Sequence, residues 1–152
     1  MNSAPTIERR PLTLLLVEDD DGDAESVVRT FEAQCSQIRV VRATDGVDAL
    51  ALLRDRDARS LLGQRCLLMV DVNLPRMSGI ELVAQVRQDP ALRHFIVFVF
   101  TASMTTSDKI KAYELNVAGY VVKPSDGQEP RSLVALIDAY RDVIELPPRA
   151  WN

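Results

Sequence analysis

Cysteine is scarce in this chain. Only Cys35 and Cys66 occur, with no C-x-x-C spacing, which argues against a disulfide framework or a cysteine metal site and fits free thiols in a reducing compartment. No apolar run approaches the length of a membrane span, and the N-terminus lacks the hydrophobic segment of a signal peptide. Basic residues are outnumbered, 18 against 22 acidic, and the net charge of −4 gives no general attraction to nucleic acid. No internal repeat or low-complexity tract is visible. What remains is 152 residues, 47% hydrophobic and 26% charged, the profile of one soluble cytoplasmic domain with a proper core.

Taken in order, Met1–Pro11 is polar and without periodicity, a loose lead-in to a domain expected over 12–146 and followed by a tail at 147–152. Buried-strand patterns are read at Thr13–Val17, Ile38–Val41, Cys66–Val70, Phe95–Phe100 and Tyr120–Val122. Between them lie helical periods. The first places Ala24, Val27, Val28 and Phe31 on one face, and the second Val47, Leu50 and Leu53. The third, Ser78–Gln88, buries Ile80, Leu82, Val83 and Val86, and the fourth, Ser107–Asn116, turns Ile110, Tyr113 and Leu115 inward. A last helix runs over roughly Glu129–Leu146 before Pro147-Pro148. The connection Asp55–Arg65 is longer than a compact α/β unit usually needs.

Apolar strands alternating five times with amphipathic helices predict an α/β flavodoxin-like (βα)5 fold. This is a doubly wound parallel sheet of order 2-1-3-4-5. In a parallel sheet all strands end at one rim, and four of these end in polar groups: Glu18-Asp19, Asp71, Thr101 and Lys123.

Carboxylates gathered there would raise one another's pKa unless a cation joined them. Hard oxygens with room for water suit Mg²⁺. Lys123 supplies a compact charge for a phosphoryl oxygen and Thr101 a hydroxyl. Asp71, central in the sheet, is the natural nucleophile for forming an acyl phosphate, with Asp19 the better direct metal ligand and Glu18 the water-mediated one.

The motifs LLLVED, LLMVDVNLPRMSG, FVFTAS and GYVVKP resemble those of the response-regulator receiver domain, over about Thr13 to Leu146. The resemblance implies a stand-alone, chemotaxis-type regulator phosphorylated on Asp71 by a sensor histidine kinase. Mg²⁺ would be bound by Glu18, Asp19, Asp71 and the main-chain carbonyl of Asn73. It makes Thr101 the switch hydroxyl, Lys123 the phosphate-pairing lysine and Tyr120 the switch aromatic, filling space from a more exposed rotamer once Thr101 moves. It also implies a cis Lys123-Pro124 peptide. The VEDD start, the long Asp55–Arg65 connection and the DVIELPP segment are similar to receivers that serve bacterial phytochromes.

Other residues read more plainly. Asp20, Asp21 and Asp23 are loop and cap residues rather than extra ligands. His94 starts a strand and so lies at the far end of the sheet from the site. Asn73 and Ser103 either tune dephosphorylation, as the resemblance implies, or are ordinary loop polars. On the last helix, Leu133, Leu136, Ile137, Tyr140 and Ile144 form one apolar stripe and Ala135, Ala139, Val143 and Leu146 a second. That width suggests a homodimer through this helix and the fourth helix–fifth strand face, with Trp151 contributing or lying in a tail. Two rival functions stay open. One is an interaction module independent of phosphorylation. The other is an aspartyl-phosphate phosphatase, which would place an aspartate where Asn73 stands.

Overall fold

A computed structural model describes residues 11–34, 37–57, 62–63, 65–125 and 127–147. Five strands, β1 (Leu12–Val17), β2 (Ile38–Ala43), β3 (Cys66–Val70), β4 (Val97–Thr101) and β5 (Gly119–Val122), form one sheet in the order β2-β1-β3-β4-β5. Every pairing is parallel, as the alternating pattern predicts. The helices are α1 (Asp21–Gln34), α2 (Gly46–Arg54), α3 (Gly79–Gln88), α4 (Thr106–Glu114) and α5 (Arg131–Val143).

The strands are apolar on both faces because both are covered. Leu12, Leu14, Leu16, Leu67, Met69, Phe98 and Phe100 meet Ala24, Val27 and Phe31 of α1 and Leu133, Val134 and Ile137 of α5. The alternate residues Leu15, Val17, Leu68, Val70 and Val99 face Ala49 and Leu53 of α2, Leu82, Val83 and Val86 of α3 and Ala112 of α4. Side-chain caps start four of the five helices; α5, entered through Pro130, has none. Asp20 accepts from the Asp23 amide, Asp45 from Asp48, Ser78 from Glu81 and Thr105 from Asp108.

Several expected faces differ. Ile110 and Tyr113 are each 53% exposed, because α4 lies on the sheet through the small Ala112, with only Leu115 half-buried beyond it. Val47, Leu136 and Ile144 are also exposed. Strand β4 begins at Val97, where it pairs with Leu68; Phe95 belongs to the turn before it, its amide bonding the Leu92 carbonyl. Arg141 went unnoticed in the apolar stripes of α5, yet its guanidinium is buried and paired with Asp138 and Asp142. The wide apolar face of α5 is present, with Val143 77% exposed and Ala135 and Ala139 also outside. Leu146 packs partly against the core. Most of the lead-in, Cys35, part of the 55–65 connection and Trp151 lie outside the described residues.

Candidate functional site

The sheet rim gathers what the strand endings promised. Leaving β1, the chain runs through Glu18 and Asp19 into α1; leaving β3, it passes Asp71 and turns at once into α3. That turn is tight. A Cβ at Gly79 would lie 2.0 Å from the Asp71 carbonyl oxygen, so only glycine lets α3 start against the end of β3. The Gly79 amide bonds the Val72 carbonyl at 2.9 Å, and the Asn73 amide donates to Asp71 Oδ1 at 3.1 Å. The loop thus wraps the carboxylate it follows.

Lys123, just past β5, extends its Nζ into the middle of the rim. It donates to Asp71 Oδ2 at 2.8 Å and pairs with Glu18 and, at 2.8 Å, with Asp23. Carboxylate oxygens of Glu18, Asp19 and Asp71 all lie within 4.8 Å of one another. Arg42, on the neighbouring β2, donates to the Glu18 carbonyl at 3.0 Å and pairs with Asp21, holding the acidic loop from outside.

Burial divides the charges. Desolvation pushes Glu18 up to about 7, more than the nearby lysine pulls it down. Desolvation also acts on Asp71, but hydrogen bonds from Lys123, Thr101 and Glu18 outweigh it and hold that carboxyl below its usual range. Lys123 is desolvated as well, yet three carboxylates keep it firmly protonated. Asp71 is therefore the stronger acid of the pair and Glu18 the weaker. One Glu18 oxygen, Oε2, is buried with no hydrogen-bond partner among the described residues. An orphaned buried carboxylate oxygen beside two further carboxylates is the donor set of a hard divalent cation, and the residues present fit one.

Thr101 closes β4, fully buried, its hydroxyl accepting from the Ser103 amide at 3.2 Å and helping to hold the Asp71 carboxyl down. Tyr120 differs from expectation. Its ring is half-buried against the core layer under α2–α4, and its hydroxyl donates to the Ser103 carbonyl at 2.9 Å. The phenol thus has an acceptor and a half-buried seat in the unphosphorylated chain, so the inward placement is already occupied. Lys123-Pro124 is trans, since no described peptide is cis; the trans form is the intrinsically favoured one and already brings Nζ to the rim. Ser103 donates to Asp108 at 2.5 Å, which makes it a link to the start of α4 rather than a free loop polar.

Of the spare acids, Asp20 is the cap of α1 and Asp21 pairs with Arg42, as loop and cap roles require. Asp23, expected among them, instead pairs with Lys123 at the site. The available signal was helical spacing, because Asp23 stands one turn before the buried Val27 and so on the sheet-facing side of α1. His94 stacks on Phe95 at the opposite end of β4, away from the rim.

Comparison with known proteins agrees with this geometry. Residues 14–137 match the response regulator receiver domain family. The chain is 29% identical to response regulator Rcp1 of Synechocystis over 138 residues, 90% of this chain and 94% of Rcp1. It is 32% identical to the chemotaxis protein CheY of Pseudomonas aeruginosa, covering 75% of this chain and 86% of that one. The phosphorylated cyanobacterial phytochrome response regulator RcpA superposes with a TM-score of 0.81 at 27% identity, over 91% of this chain and 99% of RcpA. The Mn²⁺-bound form of Rcp1 superposes at 0.74 with 28% identity, over 90% and 99%.

Proposed function

The chain belongs to the response regulator receiver domain family, and we propose that it is a single-domain regulator that takes a phosphoryl group on Asp71 from a sensor histidine kinase, by likeness to Rcp1 and RcpA that of a phytochrome. The observation that carries this reading is the position of Lys123 Nζ, which joins the ends of β1, β3 and β5 through Glu18 and Asp71. Asp71 is ionised, half-caged by the Asn73 amide and backed by a cation, which is what a carboxylate nucleophile needs. Glu18, Asp19, Asp71 and the Asn73 carbonyl are the proposed metal ligands. Mg²⁺ bound there supplies the charge that offsets the transferring phosphoryl oxygens.

The Asp71 oxygen forms the new P–O bond as the bond to the donor breaks, with the electron pair leaving on the donor. Lys123 and the Thr101 hydroxyl then bond phosphoryl oxygens. Transfer to itself and slow loss to water are the only chemistry assigned, within a receiver unit of residues 12–146 working in the cytoplasm. Output passes through the α4–β5–α5 surface, which Tyr120 and Ser103 connect to Thr101. The exposed Leu136, Val143 and Ile144 support a homodimer through α5.

Intact-mass measurement of the protein with MgCl2 and acetyl phosphate tests the reading. One phosphoryl group is expected on the wild type and none on Asp71→Asn; no gain, or an equal gain in the variant, overturns it. The inward Tyr120 favours one second reading, a surface competent without phosphorylation. Amide exchange over α4 and β5 that is unchanged by phosphorylation would support that reading.

A further inference from the structure

Lys123 has three N–H donors, and three carboxylates take them. Two of these, Glu18 and Asp71, are buried at 2% and 7% side-chain exposure and come from the sheet rim. The third is Asp23, 47% exposed, contributed from the first turn of α1 and a hundred residues away in sequence. Its Oδ2 accepts from Nζ at 2.8 Å, while its amide is satisfied by Asp20, so the carboxylate is not needed to cap its own helix. The pair borders an open recess lined by Gly22, Ser26, Phe100 and Pro124, the solvent side of the lysine.

We propose that Asp23 is a positioning residue that restrains phosphoryl capture by holding Lys123 away from the incoming group. The inference rests on the reading of Asp71 as phosphoacceptor. A phosphodonor arrives as an anion. To assist it, Lys123 must release a donor from one of its carboxylates, and Glu18 and Asp71 are fixed in the buried rim. Asp23 is the partner that yields. Until it does, its negative charge offsets the lysine and repels the donor at the solvent side of the site. The same charge, close to the Glu18–Asp19–Asp71 cluster, attracts a divalent cation. Asp23 thus acts in opposite senses on the two steps, strengthening metal binding and slowing transfer.

Acetyl phosphate is the probe. The Asp71 carboxylate oxygen forms a bond to phosphorus as the bond from phosphorus to acetate oxygen breaks, and the electron pair leaves as acetate with no proton required. The full chain and its Asp23→Asn and Asp23→Ser variants are followed by intact mass over a MgCl2 titration. Both variants keep the Asp20 cap, so either one that folds reports. At saturating Mg²⁺ the initial rate is expected to rise about threefold or more, while the Mg²⁺ dissociation constant, read by calorimetry with MgCl2 alone, rises by a similar factor, as loss of one charge a few ångströms away predicts. A merely structural role would lower both rate and metal affinity. Variants that match the wild type, or that are slower at saturating Mg²⁺, overturn the inference while wild-type phosphorylation leaves the Asp71 reading intact. A wild type that takes no phosphoryl group overturns both.

Discussion

Arg76 lays its guanidinium on Asp45, Nε at 2.8 Å and Nη2 at 2.5 Å from Oδ2, across the gap between the β3–α3 loop and the start of α2. Asp45 is doubly occupied, since its other oxygen caps α2 through the Asp48 amide at 2.8 Å. That amide chiefly, with the arginine adding to it, holds the Asp45 carboxyl below its usual range. Arg76 itself adopts φ +65°, a left-handed conformation that a residue with a Cβ enters only when its surroundings hold it there. The loop that carries Asn73 is therefore anchored by an ion pair at a position where glycine would be the easier backbone. Arg76→Ala removes the anchor and keeps the strain, whereas Arg76→Gly removes both. The expected order of melting temperatures is wild type, then Gly, then Ala, with steps of about 2–4 °C for a chain of this size. Differential scanning calorimetry checks it, and an Ala variant at least as stable as Gly contradicts it.

Gly79 admits no side chain. The 2.0 Å approach to the Asp71 carbonyl involves backbone on both sides, so Gly79→Ala must push α3 off the end of β3. A loss of about 2–4 kcal/mol is expected in urea unfolding, within the range of severe backbone and packing clashes. Because the displaced atom belongs to Asp71, phosphorylation by acetyl phosphate should fall even where the variant remains folded.

The Glu18 carboxyl gives the metal-free protein a characteristic pH dependence. Its folded pKa of about 7 lies above the unfolded value of 4.5, so the native state binds more protons across that window. Stability from this group is fully present below pH 4.5 and is lost as pH rises through about 7, by an upper limit of about 3 kcal/mol. Asp71, shifted downward, changes its contribution only below this window. Urea unfolding in EDTA at pH 5 and pH 8 measures the loss, and Glu18→Gln should flatten it. A divalent cation requires the ionised carboxylate, so its stabilisation should grow with pH through 7. Equal cation stabilisation at pH 5.5 and 8 would contradict the assignment.

Arg87 ties together three segments near α4. It donates to the carbonyls of Leu115 (2.7 Å), Asn116 (3.1 Å), Arg93 (2.6 Å) and Phe95 (2.8 Å). These oxygens end α4 and form the turn into β4. Arg87→Met keeps the aliphatic stem but leaves the carbonyls without their donor, at an expected cost of about 2 kcal/mol. Arg87→Lys, with a point charge in place of a planar fork, should recover only part of it. Faster amide exchange at 115–117 in Arg87→Met, with α1 unchanged, is the confirming pattern.

Much of this molecule was legible in its residues. Apolar runs bounded by turn signals located five strands, and their doubly apolar faces required helices on both sides. A parallel sheet then obliged Glu18, Asp19, Asp71, Thr101 and Lys123 to meet. These inferences hold because periodicity and strand direction are properties of the chain itself.

Which face of a short helix turns inward was less accessible, because it depends on how closely the helix approaches the sheet. At α4 the small Ala112 decided it, leaving Ile110 and Tyr113 outside. Arg141 reads as a surface charge; its pairing with Asp138 and Asp142 is local to α5, but its burial comes only when that helix docks.

Asp23 makes the distinction most plainly. The sheet, its rim and the chemistry gathered there follow from the residues alone, since hydrophobic pattern and strand polarity are local. It takes the packed molecule to show that a residue from the first turn of α1 accepts the third donor of Lys123, and that Tyr120 lies inward against the Ser103 carbonyl. Those contacts join positions far apart in the chain; helical spacing can place Asp23 on the sheet-facing side of α1, but its partner and distance follow from how helices and strands pack.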